Sequence, residues 1–450
     1  MINYGDTICA PATSVGAGAI SIIRVSGPGT FGIVDAVVEF SKGSASEASG
    51  YSVSYGNIPE VDEVLVSIFR APHSYTGEDS AEISCHASGF IVSRIMELLI
   101  AAGARSAEPG EFTRRAFVNG KMDLAQAEAV ADMISAGSEA AHRVALNQLK
   151  GKYSSELKML RDQLVQLASL MELELDFSEE EVEFADRSRL RALLDETSAH
   201  VQRLCDSFRA GNAIKRGVPV AIVGAVNAGK STLLNALLGE DRAIVSDIPG
   251  TTRDTVEEVL TLGGVQFRFI DTAGIRESSD TIEKIGIERS LQSMGKAEVV
   301  LLVLDATKPG SVLSGIYEDV RRRLSPAQHL IVLANKSDLA DGTEFRDYDL
   351  KIAAKSGAGL DALKEKIAAL FDSQAFSADE SLVTNLRHYE ALSRACEDLS
   401  AVRSGLDAGL SPDLLAEDLR SAIRELGTIF GEIAPDEVLG SIFSKFCIGK

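Results

Sequence analysis

The chain is poor in cysteine and has no paired arrangement of it. Cys9, Cys85, Cys205, Cys396 and Cys447 are scattered through 450 residues with no Cys-x-x-Cys spacing. That fits a reducing cytosol and no structural zinc site. Cys85-His86 with His73 lacks the spacing of a zinc site. No stretch reaches about 18 apolar residues, so no membrane span is expected. The start, Met1 to Ala10, has neither a basic segment nor a long apolar core, so it is not a signal peptide. Basic residues are also in deficit: 45 Lys and Arg against 66 Asp and Glu leave a net charge of −21. Broad nonspecific binding to nucleic acid, which is mostly counterion release, is thereby disfavoured, although a local basic patch is not.

What is present is specific. Gly224-Ala225-Val226-Asn227-Ala228-Gly229-Lys230-Ser231 has P-loop spacing. Val218 to Val223 reads as a short buried strand before it, and Ser231 to Leu238 as the opening of a helix after it. In that context the glycines let backbone N–H groups wrap a phosphate, and the helix N-terminus adds partial positive charge. Asn227, Ala228, Gly229, Lys230, Ser231 and Thr232 are the candidate phosphate ligands. Lys230 would reach the β- and γ-phosphates, and the Ser231 hydroxyl would hold Mg²⁺.

Three more strand ends follow in order. Phe267 to Ile270 leads into Asp271-Thr272-Ala273-Gly274, where a carboxylate can hold Mg²⁺ through water and the Gly274 N–H can meet a γ-phosphate. Glu298 to Asp305 is a third strand. Leu330 to Leu333 is a fourth and leads into Asn335-Lys336-Ser337-Asp338. Asp338 can accept two hydrogen bonds from the N1–H and exocyclic amine of guanine, a donor pair that adenine lacks. The four motifs, each at a strand end of an alternating β/α pattern, point to a GTPase, since ligands lie at the carboxyl ends of strands in such sheets. Two features depart from the commonest pattern. The guanine loop Ser-Ala-Lys is here Ala353-Ala354-Lys355, and the Gln that orients water in Ras-type enzymes is missing from Gly274-Ile275-Arg276. Another group must position the nucleophile.

The length allows about three domains. Residues 1–118 carry short β-like runs: Ala19 to Val25, Val64 to Phe69 and Ser80 to His86. From about residue 121 the pattern turns helical, with Leu160, Leu164, Leu167 and Met171 on one face, and Leu190 to Arg209 repeats the helical period. The GTPase occupies 216–375. Residues 376–450 are helical again, with Leu386, Tyr389, Leu392 and Cys396 expected on one face. Helical segments at 119–215 and 376–450 imply one discontinuous helical domain with the GTPase inserted in it. The expected fold is multidomain, α/β and α+β.

Several further runs carry a resemblance. They are Asp6-Thr7-Ile8-Cys9-Ala10-Pro11-Ala12-Thr13, Tyr75-Thr76-Gly77-Glu78-Asp79, Pro109-Gly110-Glu111-Phe112-Thr113-Arg114-Arg115-Ala116-Phe117, and Asn119-Gly120-Lys121. Gly250-Thr251-Thr252-Arg253-Asp254 lies in the first switch, and Phe446-Cys447-Ile448-Gly449-Lys450 ends the chain. Over nearly its whole length the chain resembles the MnmE (TrmE) family of tRNA modification GTPases. The terminal Cys-Ile-Gly-Lys is not a prenylation box, because Lys is not an accepted last residue.

The resemblance implies an N-terminal α+β domain similar to folate-binding domains. It would bind formyl- or methylene-tetrahydrofolate through Arg24, Glu78, Arg114, Lys121 and Lys450; a solvated surface is the alternative reading of Arg24, Glu78 and Arg114. It implies a homodimer formed through that domain, and a flavoprotein partner, MnmG, in a heterotetramer acting on the 5 position of the wobble uridine of certain tRNAs. Cys447 becomes a candidate catalytic or positioning group, with a free thiol on a frayed tail as the alternative. Remaining GTP ligands implied are Ser246, Asp247, Thr251, Thr252, Ala354 and Lys355, with Thr252 joining Ser231 on Mg²⁺. Potassium stimulation is implied too, the K⁺ held by Asn227, Ser246, Ile248 and Thr251. Glu283 would orient the attacking water, a solvated helix start being the plainer reading. Two other classes stay open: an Era- or Der-like RNA-binding switch in ribosome assembly, for which no KH-type Gly-x-x-Gly surroundings are evident in residues 376–450, and a nucleotide-gated scaffold.

Overall fold

The computed structural model describes residues 5–14, 18–176, 187–239, 258–270, 293–326, 328–340, 345–371, 381–432, 436–444, 446 and 449. The chain divides into two compact units. One comprises Met1–Ile134, Asn147–Val201 and Ala391–Lys450, the other Ser135–Leu146 and Gln202–Glu390.

The first unit is built on a seven-stranded sheet: β1 (Ile8–Pro11), β2 (Ile20–Ser26), β3 (Glu39–Phe40), β4 (Ser52–Ile58), β5 (Asp62–Phe69), β6 (Ser80–His86) and β7 (Arg105–Ser106). The order is β3-β4-β5-β6-β2-β1-β7, antiparallel except for the β1–β7 pair. β5 shows why these runs are strands. Val64, Val66 and Ile68 alternate inward while Glu63 and Leu65 face out, so one face is apolar and one open. Helices α1 (Thr30–Val37) and α2 (Gly89–Ala101) cover the apolar face with Phe31, Val34, Val92, Ile95 and Leu99. Burial of the two thiols on this sheet, Cys9 and Cys85, raises each to a pKa of about 11, so neither is a ready nucleophile.

Helix α3 (Glu111–Val118) follows, then α4 (Leu124–Ser135), α5 (Glu139–Leu149), the long α6 (Lys152–Asp176) and α7 (Arg187–Asp206). Leu160, Leu164, Leu167 and Met171 are all fully buried on α6, as their spacing at i, i+4, i+7 and i+11 predicts. The second run of helical pattern does not continue to Arg209. α7 ends at Asp206, and Ser207 precedes a separate helix, α8 (Phe208–Arg216).

The other unit holds a six-stranded sheet: β8 (Val218–Val223), β9 (Glu258–Leu262), β10 (Val265–Phe269), β11 (Val299–Asp305), β12 (His329–Asn335) and β13 (Leu350–Lys351). Its order is β13-β12-β11-β8-β10-β9, parallel except for the β9–β10 hairpin at one edge. β11, Val-Val-Leu-Leu-Val-Leu-Asp, is buried on both faces, as a central parallel strand must be. One face packs on α9 (Lys230–Leu238) and α11 (Leu360–Ala369), the other on α10 (Gly310–Arg323).

The C-terminal helices are α12 (Leu386–Asp407), α13 (Pro412–Phe430) and α14 (Asp436–Phe443). α13 runs along α6, so helical segments far apart in sequence do pack together. The expected stripe on α12 is corrected by the structure. Leu386 is 51% exposed, and the buried line is Leu392, Ala395, Leu399 and Val402. Four apolar residues at helical spacing chose a stripe rotated away from the small-residue face that packs.

Candidate nucleotide site

β8 ends at Val223 and α9 begins at Lys230, so the P-loop spans the carboxyl end of a central strand. The sheet order reverses there: β10 lies on one side of β8 and β11 on the other. Gly229 has φ +99°, and a Cβ on it would stand 2.2 Å from Asn335 Nδ2, so only glycine fits. Asn227 is a non-glycine residue at φ +60° and is exposed. Lys230 Nζ donates to the carbonyls of Gly224 and Ala225, both at 2.9 Å. Burial holds its pKa below the usual lysine value. Among the described residues its partners are carbonyls, and a desolvated ammonium so placed gains most from an anion. Ser231 is half-buried and Thr232 exposed at the start of α9.

The second motif is tied to the first by one side chain. Asn335, the last residue of β12 and almost fully buried, donates through Nδ2 to the Ala228 carbonyl at 2.8 Å. Its Oδ1 accepts the Ala354 N–H at 3.0 Å. A further bond, Ser337 N–H to the Ile352 carbonyl at 3.1 Å, joins the Asn-Lys-Ser-Asp and Ala-Ala-Lys loops. The P-loop and both candidate base-reading loops are therefore one hydrogen-bonded assembly. Asp338 and Lys355 are exposed at its rim. Lys336 sits at φ +60°, and its Nζ meets Asp305 Oδ2 at 2.7 Å. Burial pushes the Asp305 carboxyl up, but hydrogen bonds from Lys336 and Thr307 outweigh it and hold it below the ordinary value. In the sequence alone Asp305 has no signal, since a lone Asp at a strand end carries none until its neighbour is known.

Ser246, Asp247, Ile248, Thr251, Thr252, Asp271, Thr272, Ala273, Gly274 and Glu283 lie outside the described residues, as do Cys447 and Lys450.

In the other unit Arg24 is gripped twice by Glu82 Oε1, at 2.9 and 2.8 Å. Its guanidinium stands 5.2 Å from the centre of the Tyr75 ring and 5.6 Å from that of Phe112. Its Nη1 approaches the Gly449 carbonyl at 3.5 Å. Gly449 lies so close to β1 that a Cβ on it would come within 2.1 Å of the Pro11 carbonyl. Phe446 packs with Phe443, Leu124 and Ala127. Glu78 accepts from Ser26 Oγ at 3.0 Å and from Arg115 Nη1 at 3.3 Å. Arg115, which sequence reasoning passed over for its neighbour, is fully buried; its Nη2 reaches Asp6 Oδ1 at 2.7 Å and Glu111 Oε1 at 3.0 Å. Arg114 contacts Glu108 at 3.3 Å, and Lys121 Nζ donates to the Pro72 carbonyl at 2.9 Å. The four described candidates lie on β2 (Arg24), just before β6 (Glu78), on α3 (Arg114) and just after it (Lys121), and each already has protein partners.

A P-loop strand–helix turn, a parallel sheet of this order and an Asn-Lys-Ser-Asp loop bonded to the P-loop define a P-loop GTPase. Comparison with known proteins narrows the class. A family model described as GTP-binding protein TrmE N-terminus matches residues 7–121, and one described as the MnmE helical domain matches 124–447. The second span encloses the six-stranded sheet. The tRNA modification GTPase MnmE of Bacteroides fragilis strain YCH46 is 50% identical over 99% of both chains. That of Bacteroides thetaiotaomicron is 49% identical over the same shares, and that of Flavobacterium johnsoniae 46% over 100% of both. The chain belongs to the MnmE family of tRNA modification GTPases. Among the described residues no helix is long and apolar enough to cross a membrane.

Proposed function

We propose that this GTPase acts in modifying the 5 position of the wobble uridine of certain tRNAs, together with a flavoprotein partner, MnmG, and a tetrahydrofolate one-carbon donor. The observation that carries the reading is the match along 99% of the chain to relatives named for tRNA modification. Lys230 and the P-loop N–H groups would bind the β- and γ-phosphates, and Asp338 would read guanine, with Ala354 and Lys355 beside it. Asn335 fixes the spacing between the two ends of the nucleotide by holding the Ala228 and Ala354 backbones.

Mg²⁺, when bound, screens phosphate charge; Ser231 at the start of α9 suits it, with Thr252 as its other expected ligand. Potassium would offset charge between the β- and γ-phosphates, as an arginine finger does. Exposed Asn227, held with φ positive in the loop, suits a K⁺ ligand with Ser246, Ile248 and Thr251. Glu283 would orient the attacking water. Tetrahydrofolate supplies a one-carbon unit. A flat ring with an anionic tail suits a place where Arg24 lies against Tyr75 and Phe112, with Glu78 as an acceptor for ring N–H groups and Arg114, Lys121 and Lys450 as cations for carboxylates. The last described residue, Gly449, packs beside Arg24 and Pro11; Cys447 would be a catalytic or positioning group. The folate domain would also form the homodimer, and the protein would work in the cytoplasm.

Nucleoside analysis of tRNA from cells lacking the protein tests the reading. Loss of the 5-substituent at the wobble uridine is expected, restored by the intact gene. Unchanged wobble uridine would overturn it.

A further inference from the structure

Asp305 closes β11 opposite Asn335, which closes β12, in the register of two parallel neighbours. The next residue, Lys336, therefore emerges beside Asp305. One carboxylate oxygen of Asp305 is fixed by its own turn, accepting from the Thr307 N–H at 3.1 Å and the Thr307 hydroxyl at 2.7 Å. The other takes the Lys336 ammonium at 2.7 Å. Lys336 is held in turn by its backbone: φ is +60°, its carbonyl accepts the Leu339 N–H at 3.0 Å, and the next N–H bonds to Ile352. A non-glycine residue in that conformation persists where its surroundings over-determine it.

Lys336 is also the cation two residues from Asp338. We infer that Asp305 is a positioning residue for guanine recognition: it commits the Lys336 ammonium to the end of β11 and so keeps the Asp338 carboxylate available for the base. Released, the ammonium is free to pair with Asp338 and compete with the N1–H and exocyclic amine. The Lys336 methylene stem, now stretched from β12 towards β11, loses its place beside the loop. The inference rests on Asp338 as the guanine reader; a gain of xanthosine triphosphate binding in Asp338→Asn tests that separately.

The experiment is a double-mutant cycle on the full-length protein, using Asp305→Asn and Lys336→Met with fluorescent GDP and inorganic tripolyphosphate as probes. Asp305→Asn is expected to weaken GDP and GTP binding about tenfold and to raise KM more than it lowers kcat. Tripolyphosphate, which has no base, should bind as before. In the Lys336→Met background, where no ammonium remains to be released, Asp305→Asn should add less than about twofold. An equal loss in both backgrounds would overturn the inference, as would an equal loss of tripolyphosphate, which marks general damage to the site. Unchanged GDP affinity in Asp305→Asn alone would overturn it as well.

Discussion

Asn335 holds the Ala228 carbonyl with its amide nitrogen and the Ala354 N–H with its amide oxygen, so one buried side chain spans the phosphate end and the base end of the site. Asn335→Ala strands both backbone groups. Each unsatisfied buried group costs about 1–3 kcal/mol, so GTP and GDP should bind at least about tenfold more weakly. Because both nucleotides use the same two loops, their affinity ratio should stay put. Stopped-flow with fluorescent GDP and GTP measures both; a loss for GTP alone would mean that Asn335 senses the γ-phosphate instead.

Asp338 stands exposed at the rim of that assembly. Asp338→Asn should weaken GTP binding by about 2–3 kcal/mol, the worth of hydrogen bonds to a charged group, and shift preference towards xanthosine triphosphate, whose base offers the complementary acceptor. Equilibrium titration with both nucleotides is the check, and unchanged GTP affinity would remove Asp338 from base recognition.

The parts of the site legible in the sequence are the local ones. A P-loop is a strand, a turn and a helix start within fourteen or so residues, and the β/α alternation around it sets the sheet. The cross-links were not legible. That Asn335 meets Ala228 depends on which strands are neighbours, and that Asp305 meets Lys336 depends on parallel register between β11 and β12. Arg115 was hidden by its neighbour. In Thr-Arg-Arg-Ala the two arginines look alike, and only the helix phase of α3 turns Arg115 inward to Asp6, Glu78 and Glu111 while Arg114 stays partly open. The α12 stripe failed for a related reason: apolar spacing cannot tell a Leu face from an Ala-containing face when both repeat at the helical period.

The Arg115 cluster gives the first unit an acid-labile joint. Burial pushes the Glu111 carboxyl up, but bonds from Arg105, the Glu108 N–H and Arg115 hold it below the usual carboxylate value. A depressed folded-state pKa means that the unfolded chain binds the proton first. The contribution is therefore complete above the ordinary glutamate range near about 4.3 and is lost as pH falls through the folded value. Hydrogen exchange of the α3 amides should speed up below about pH 4 relative to a distant helix. Glu111→Gln removes one of three carboxylates facing Arg115, with Asp6 and Glu78 remaining, at a cost of about 1–3 kcal/mol at neutral pH, and flattens the acid response. An acid response as steep in the variant as in the parent would place the joint elsewhere.

Asn227 carries the last prediction. It is exposed in the P-loop at φ +60° and is the candidate potassium ligand. Potassium and sodium screen charge alike, so any difference between them at equal ionic strength must come from ion size at a site. GTP turnover should be faster in KCl than in NaCl. Asn227→Ala should erase that difference while GDP binding largely survives, because Lys230 and the P-loop backbone remain. The loss should fall on kcat, since the ion is assigned to charge that develops only in the transition state. Asn227→Gly separates ligand from backbone: glycine accepts the positive φ that alanine resists, so a loss of potassium dependence in both variants assigns the effect to the amide oxygen. If only Asn227→Ala loses it, loop strain is the cause, and equal turnover of the parent in the two salts would take the cation out of the mechanism.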